Sequence, residues 1–156
     1  MPKAKKSDAK PKAKKASQKL RQQVAALPVR LTEGGQIEVL LVTSRDSRRW
    51  IIPKGWPMKG KKRHEAAAIE AEEEAGVLGT IQSKALGHYI YSKQQADGQV
   101  FECRVAVYAL NVTKELADWA EKGQRDIQWV SSEIAADLVL EPDLSSVLQK
   151  INLSSL

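Results

Sequence analysis

Residues Gly55–Val77 read GWPMKGKKRHEAAAIEAEEEAGV, and this stretch decides what kind of fold the chain builds. Two glycines and Pro57 make residues 54–60 a loop, residues 62–75 are nearly all helix formers, and Gly76 supplies a C-terminal stop. With 100° per residue, Glu70, Glu73 and Glu74 share an arc of about 100° on that helix. Ala67, Ala68, Ala71 and Ala75 form a strip of small side chains beside the arc. Such a strip lets the helix backbone approach another layer closely and holds the carboxylates on a rigid element. Glu72 points elsewhere, toward the surface.

A solvated acidic face is the plain alternative, and energetics count against it. Like charges at i,i+4 destabilise a helix by ~0.2–0.5 kcal/mol per pair, and negative charge near the C-terminus opposes the macrodipole. Glu70, Glu73 and Glu74 accept both penalties in the last turns. A hard cation would remove them, since Mg²⁺ takes oxygen ligands and leaves positions for water and substrate phosphate. The preceding Gly-rich loop can add a backbone carbonyl.

Outward from the helix, Gln23–Thr32 is short, apolar and compatible with a strand. Glu33-Gly34-Gly35 marks a turn and Ile37–Thr43 (IEVLLVT) reads as a buried strand, making a hairpin. Trp50–Ile52 is a short strand halted by Pro53. Long strands are expected over residues 80–92 and 99–112, joined by a turn at Ala96-Asp97-Gly98, with a short strand over residues 127–130. Ser131 and Ser132 cap a helix over residues 133–138. Asp143 caps a last helix whose Leu144, Val147, Leu148 and Ile151 share a face. The sum is an α/β chain with a mixed sheet, one long central helix and a helical C-terminus.

The Gly55–Val77 stretch resembles the Nudix box, G-x5-E-x7-R-E-U-x-E-E-x-G-U with U aliphatic. Gly55, Glu70, Glu73, Glu74, Gly76 and Val77 fall in register over all 23 positions, and Ala71 stands in for the first U. The resemblance implies a Nudix-type α/β/α sandwich with a central mixed β-sheet. It also implies a Mg²⁺ (or Mn²⁺) cofactor bound through Gly55, Glu70, Glu73 and Glu74. Two positions depart from the box: Lys61 stands where its first Glu would be and Ile69 where its Arg would be. In the family that Arg pairs with helix carboxylates and orients them. The departures point to fewer metals, lower activity, or a lysine that touches substrate phosphate.

Over most of residues 23–151 the chain is further similar to the diphosphoinositol polyphosphate phosphohydrolases, through VLLVTSRDSRRWIIPKGW, VAVYALNVTKELADW and IQWV. The P-K-G run also resembles dinucleoside polyphosphate hydrolases. Either way the implied substrate is a polyphosphorylated small molecule, contacted by Arg30, Ser44, Arg45 and Lys54. Residues 45–63 hold eight cations against Asp46, a rim suited to many phosphates, and Lys61 is a further candidate contact. The expected chemistry is hydrolysis of a phosphoanhydride bond, with the metal neutralising charge and a carboxylate taking the proton of water. Glu73 or Glu74 is the candidate base and Glu70 chiefly a ligand. Glu102 is a candidate outer ligand, Trp56 a candidate stacking surface, Trp50 and Cys103 core residues, and His64 has no assigned role.

Charge and composition bound the rest. Of the chain's net charge of +6, residues 1–21 carry +8, with eight lysines and Arg21 against Asp8, so the other 135 residues carry −2. A nucleic-acid-binding fold wears its basic charge on the domain itself. Residues 1–19 are therefore expected to be a disordered Lys-rich arm, and residues 20–156 the folded domain. The arm suits solubilisation or a weak polyanion contact. A catalytically weak binding module tethered to nucleic acid through that arm is the competing reading. One cysteine and two histidines exclude an internal disulfide and a histidine-rich metal centre. No apolar run approaches ~20 residues, so no membrane contact is expected and the expected location is cytoplasmic.

Overall fold

In the computed structural model, which describes residues 20–156, strand β1 (Arg21–Leu31) is the axis of the molecule. Its core residues alternate between two layers. Val24 and Ala26 face one layer, and Ala25, Leu27 and Val29 face the other. Burial on both faces is why VAALPV reads as a continuous apolar run rather than an alternating one. Pro28 is tolerated in this central strand because β1 changes partner there. It pairs with β4 (Lys54–Gly55) at Val24 and Ala25, then with β2 (Ile37–Thr43) from Val29 onward. The missing N–H falls in the gap between the two pairings.

The other edge of β1 runs parallel to β7 (Val100–Glu115), from Arg21 opposite Cys103 to Val29 opposite Asn111. All other pairings are antiparallel, so the eight strands form one mixed sheet. Strands β3 (Trp50–Ile51) and β8 (Ile127–Ser131) pair with β2. The long strand expected over residues 80–92 is two strands, β5 (Val77–Ile81) and β6 (Gly87–Gln94). Both lie on the outer edge of β7. Between them Gln82–Leu86 loops out, re-anchored by Gln82 N–H to Ala109 O and Leu86 N–H to Val107 O. Nothing in the local sequence betrays this interruption, because the anchors are on another strand.

Helix α1 (Arg63–Ala75) covers one face of the sheet, burying Ala66, Ala67, Ala71 and Ala75 against Val24, Ala26, Leu40, Val42 and Leu110. Helices α2 (Ser132–Leu138) and α3 (Pro142–Lys150) cover the other with Ala135, Ala136, Leu144 and Leu148. The result is the α/β/α sandwich expected. Ser131 caps α2 through Ile134 N–H. Helix α3 starts two residues earlier than expected, with Glu141 at the cap and Pro142 in its first position, leaving Asp143 inside the first turn. No helix among the described residues is long and apolar enough to cross a membrane. The Lys-rich arm of residues 1–19 lies outside the described residues.

Candidate active site

The alanine strip sets α1 so close to the sheet that Glu74 is buried with it and Glu70 is half-buried. Glu74 is only 5% exposed, its Oε1 accepting from the backbone N–H of Lys54 at 3.4 Å. Glu70, one turn earlier, lies over Gly55, and a Cβ at that position would overlap its carboxyl group. β4 therefore presents a backbone N–H to one glutamate and a bare Cα to the other. Gly76 ends the helix with φ 70°, and Leu116 N–H donates to its carbonyl at 2.7 Å, tying the far end of β7 to α1.

Burial, the larger effect, pushes the Glu74 carboxyl up to about 8; the Arg125 guanidinium opposes this and the facing Glu70 carboxyl adds to it. Glu70 is also raised, by burial and by Glu73 and Glu121 nearby. The two facing carboxyls thus share at least one proton near neutral pH when no cation is present. Glu73 is exposed, at the edge of the buried arc. Of the three clustered glutamates the structure brings two into contact and leaves the third at the rim. Among the described residues no three His, Cys, Asp or Glu side chains converge at metal-ligand spacing.

Two residues that sequence reasoning missed complete the cluster, both from the connection between β7 and β8. Glu121 lies near Glu70, its backbone N–H bonded to Glu73 O at 3.0 Å. Arg125 is buried at 8% side-chain exposure and contacts both Glu121 and Glu74. In the sequence both sit in AEKGQRD, where nothing separates them from ordinary surface charge.

The expected phosphate contacts are divided. Lys54 lies beside the cluster with its ammonium 4.8 Å from the Tyr91 ring centre, and burial lowers it to about 8. Arg49, ion-paired with the buried Glu141 at 2.9 Å, is a neighbouring charge. Ser44 and Arg45 lie in the turn after β2, with Ser44 bonded to Ser47 and Arg45 to Gln124, which places them on the rim beside Arg125. Lys61 is exposed ahead of the first turn of α1, more than ~10 Å along the axis from Glu70. Arg30 is not brought to the cluster. It is paired with Glu38 at 2.9 Å and Glu115 at 3.4 Å, six strand positions from Val24 and so about 20 Å along β1. Glu102 accepts from Ser92 at 2.5 Å across the β6–β7 pair.

A family model described as NUDIX domain matches residues 19–151. The chain belongs to the NUDIX domain family. Nudix hydrolase 16, mitochondrial, of Arabidopsis thaliana is 37% identical over 118 residues, which cover 74% of this chain and 65% of that protein. Diphosphoinositol polyphosphate phosphohydrolase 3-beta of Bos taurus is 34% identical over 121 residues, covering 74% and 70%. The chain spans between 52% and 65% of the length of three plant relatives. Among solved structures, an Ap4A hydrolase binary complex from C. elegans superposes with a TM-score of 0.61 at 24% identity, covering 84% of this chain and 94% of that one. The NUDIX domain of Shewanella oneidensis NrtR complexed with ADP ribose gives 0.61 at 16% identity, covering 86% and 88%. These likenesses carry the fold.

Gly55 is the position in this Nudix site where one methyl group has the largest geometric consequence. Gly55→Ala is expected to push the Glu70 carboxyl off β4 and, on the metal-dependent reading proposed below, to lower Mn²⁺ affinity by ~10–100-fold, the cost of disturbing what orients a metal ligand. Helix content is expected to stay intact, because the displaced group is a side chain. Calorimetric titration with Mn²⁺ checks this, and wild-type affinity in the variant would refute it.

Proposed function

We propose that the chain is a divalent-metal-dependent pyrophosphohydrolase. It would cleave a phosphoanhydride bond in a polyphosphorylated small molecule, a dinucleoside polyphosphate or a diphosphoinositol polyphosphate. The observation that carries this is the buried Glu74 facing the half-buried Glu70 against the β4 backbone. With both ionised, two facing carboxyls this far from bulk water repel each other, and a proton or a bound cation relieves that repulsion. The donor set is all oxygen, which suits Mg²⁺ or Mn²⁺. Glu70 and Glu74 would hold the cation, with the Gly55 carbonyl as a further donor and Glu73 at the rim.

When bound, the cation supplies charge neutralisation on the phosphate oxygens and lowers the pKa of bound water. The protein's own part is positional. Glu73, the one solvent-facing carboxylate of the three, accepts the proton of the attacking water. The water oxygen bonds to phosphorus, the anhydride P–O bond breaks, and its electron pair leaves with the departing phosphate. Lys54 and the Ser44–Arg45 turn face the phosphate chain from two sides, and Lys61 extends the rim for longer chains. The names of relatives and neighbours support both substrate types without separating them.

The test is a panel of diadenosine tetraphosphate, a diphosphoinositol polyphosphate, nucleoside triphosphates and ADP-ribose, each with Mg²⁺ and with chelator. Cleavage of at least one at a phosphoanhydride, abolished by chelator, is expected. No turnover of any member, or turnover indifferent to chelator, would overturn the reading.

A further inference from the structure

We infer that Arg125 is the positioning residue of the acidic cluster, holding Glu74 and Glu121 in the orientation that receives a divalent cation. This rests on the metal-dependent reading above. Helix α1 carries four glutamates in its last turns and no cation of its own there. Position 69, on the same helix, is Ile. The cation comes instead from a residue fifty positions further along.

The guanidinium of Arg125 touches three separate elements. Its Nε donates to Glu121 Oε1 at 2.9 Å, its Nη1 donates to the backbone carbonyl of Thr43 at 3.0 Å, and its Nη2 lies 3.8 Å from Glu74 Oε1. Thr43 is itself locked, its N–H donating to Asp126 O at 3.1 Å and its Oγ1 accepting from Asp126 N–H at 2.9 Å. The end of β2, the β7–β8 connection and α1 therefore meet on one planar group. The fork of fixed geometry anchors Glu121 and the Thr43 carbonyl by hydrogen bonds and thereby fixes a positive charge 3.8 Å from Glu74 Oε1, whereas an ammonium offers one nitrogen and no fixed plane.

Positioning and mere charge neutralisation predict opposite signs. If Arg125 only offset the negative cluster, its removal would leave more negative charge for a cation and tighten binding. If it orients Glu74 and Glu121, its removal loosens binding by ~10–100-fold, the usual cost of losing a partner that orients a metal ligand.

The experiment is Mn²⁺ binding to the full-length, chelator-stripped protein, followed by electron paramagnetic resonance, for wild type, Arg125→Met and Arg125→Lys. Circular dichroism confirms folding of each. Loss of 10- to 100-fold in affinity in Arg125→Met, with Arg125→Lys still at least about fivefold weaker than wild type, is the expected result. Unchanged or tighter binding in Arg125→Met overturns the inference, as does full restoration by lysine. Should Arg125→Met not fold, the lysine variant decides by the same criterion. Wild type that binds no Mn²⁺ overturns the metal reading and this inference together, while equal binding by all three overturns the inference alone.

Discussion

Glu73→Gln is expected to lower phosphoanhydride hydrolysis by about 10²–10⁴-fold while leaving folded stability unchanged. The side chain is exposed and its loss removes no buried contact. Glu74→Gln is expected to abolish activity as well, with the opposite consequence for the metal-free fold. Glutamine keeps an acceptor for the Lys54 N–H and removes an ionisable group that is buried beside Glu70. Its melting temperature in chelator at pH 8 should therefore rise above wild type. Initial rates with Mg²⁺ and thermal melts in chelator separate the two roles. If both variants retain wild-type turnover, the assignment of this cluster to the chemistry is wrong.

Without metal, the protein is expected to lose stability as pH rises from about 4.5 to 8. The sign follows from Glu74. Its pKa is about 8 in the folded chain and near 4.5 when unfolded, so within that window the folded state holds a proton that the unfolded state has released. Each pH unit then favours unfolding, by up to ~1.4 kcal/mol per unit if Glu74 acts alone. The full effect is on the order of 3–5 kcal/mol, or roughly 10 °C in melting temperature for a domain of this size. Lys54 works in the other direction and only above that window. Burial lowers it to about 8, so its contribution to stability is lost as pH falls through 8 and recovers toward 10.5. A stability minimum near pH 8 should result. Mg²⁺ should fill it in, because cation binding displaces the proton from the pair and is favoured as pH rises. Melts from pH 5 to 10, with chelator or with Mg²⁺, test this. A metal-free profile flat between 5 and 8 would show that the Glu70–Glu74 pair is solvated.

The family pattern was legible because its physics is local. Helix periodicity alone puts Glu70 and Glu74 on one face, the alanines beside them explain how that face gets close to a sheet, and Gly76 stops the helix whatever lies beyond it. Ile37–Thr43 and the Ser131 cap are likewise decided by neighbours within a few residues. The interrupted strand over residues 80–92 was not legible, since Gln82 and Leu86 are held by carbonyls of β7. Arg30 shows the same limit in reverse. Its charge matches a phosphate contact, and only the pairing register reveals that Glu38 sits opposite it, with Glu115 within reach.

By itself, then, the sequence determined the helix that bears the carboxylates, from spacings along one element, and, through the 23-position motif, the fold class. That Gly55 lies beneath Glu70 came only with the structure. Which carboxylates are buried, which one faces water, and what positive charge holds them was decided by tertiary structure alone. Burial of Glu74 and half-burial of Glu70 depend on β4 lying beneath them, and the placement of Glu121 and Arg125 depends on hydrogen bonds to Glu73 O and Thr43 O. A charge 50 residues distant carries no local periodicity to mark it. Only closure of the β7–β8 connection onto β2 and α1 turns Arg125 from one more surface cation into part of the site.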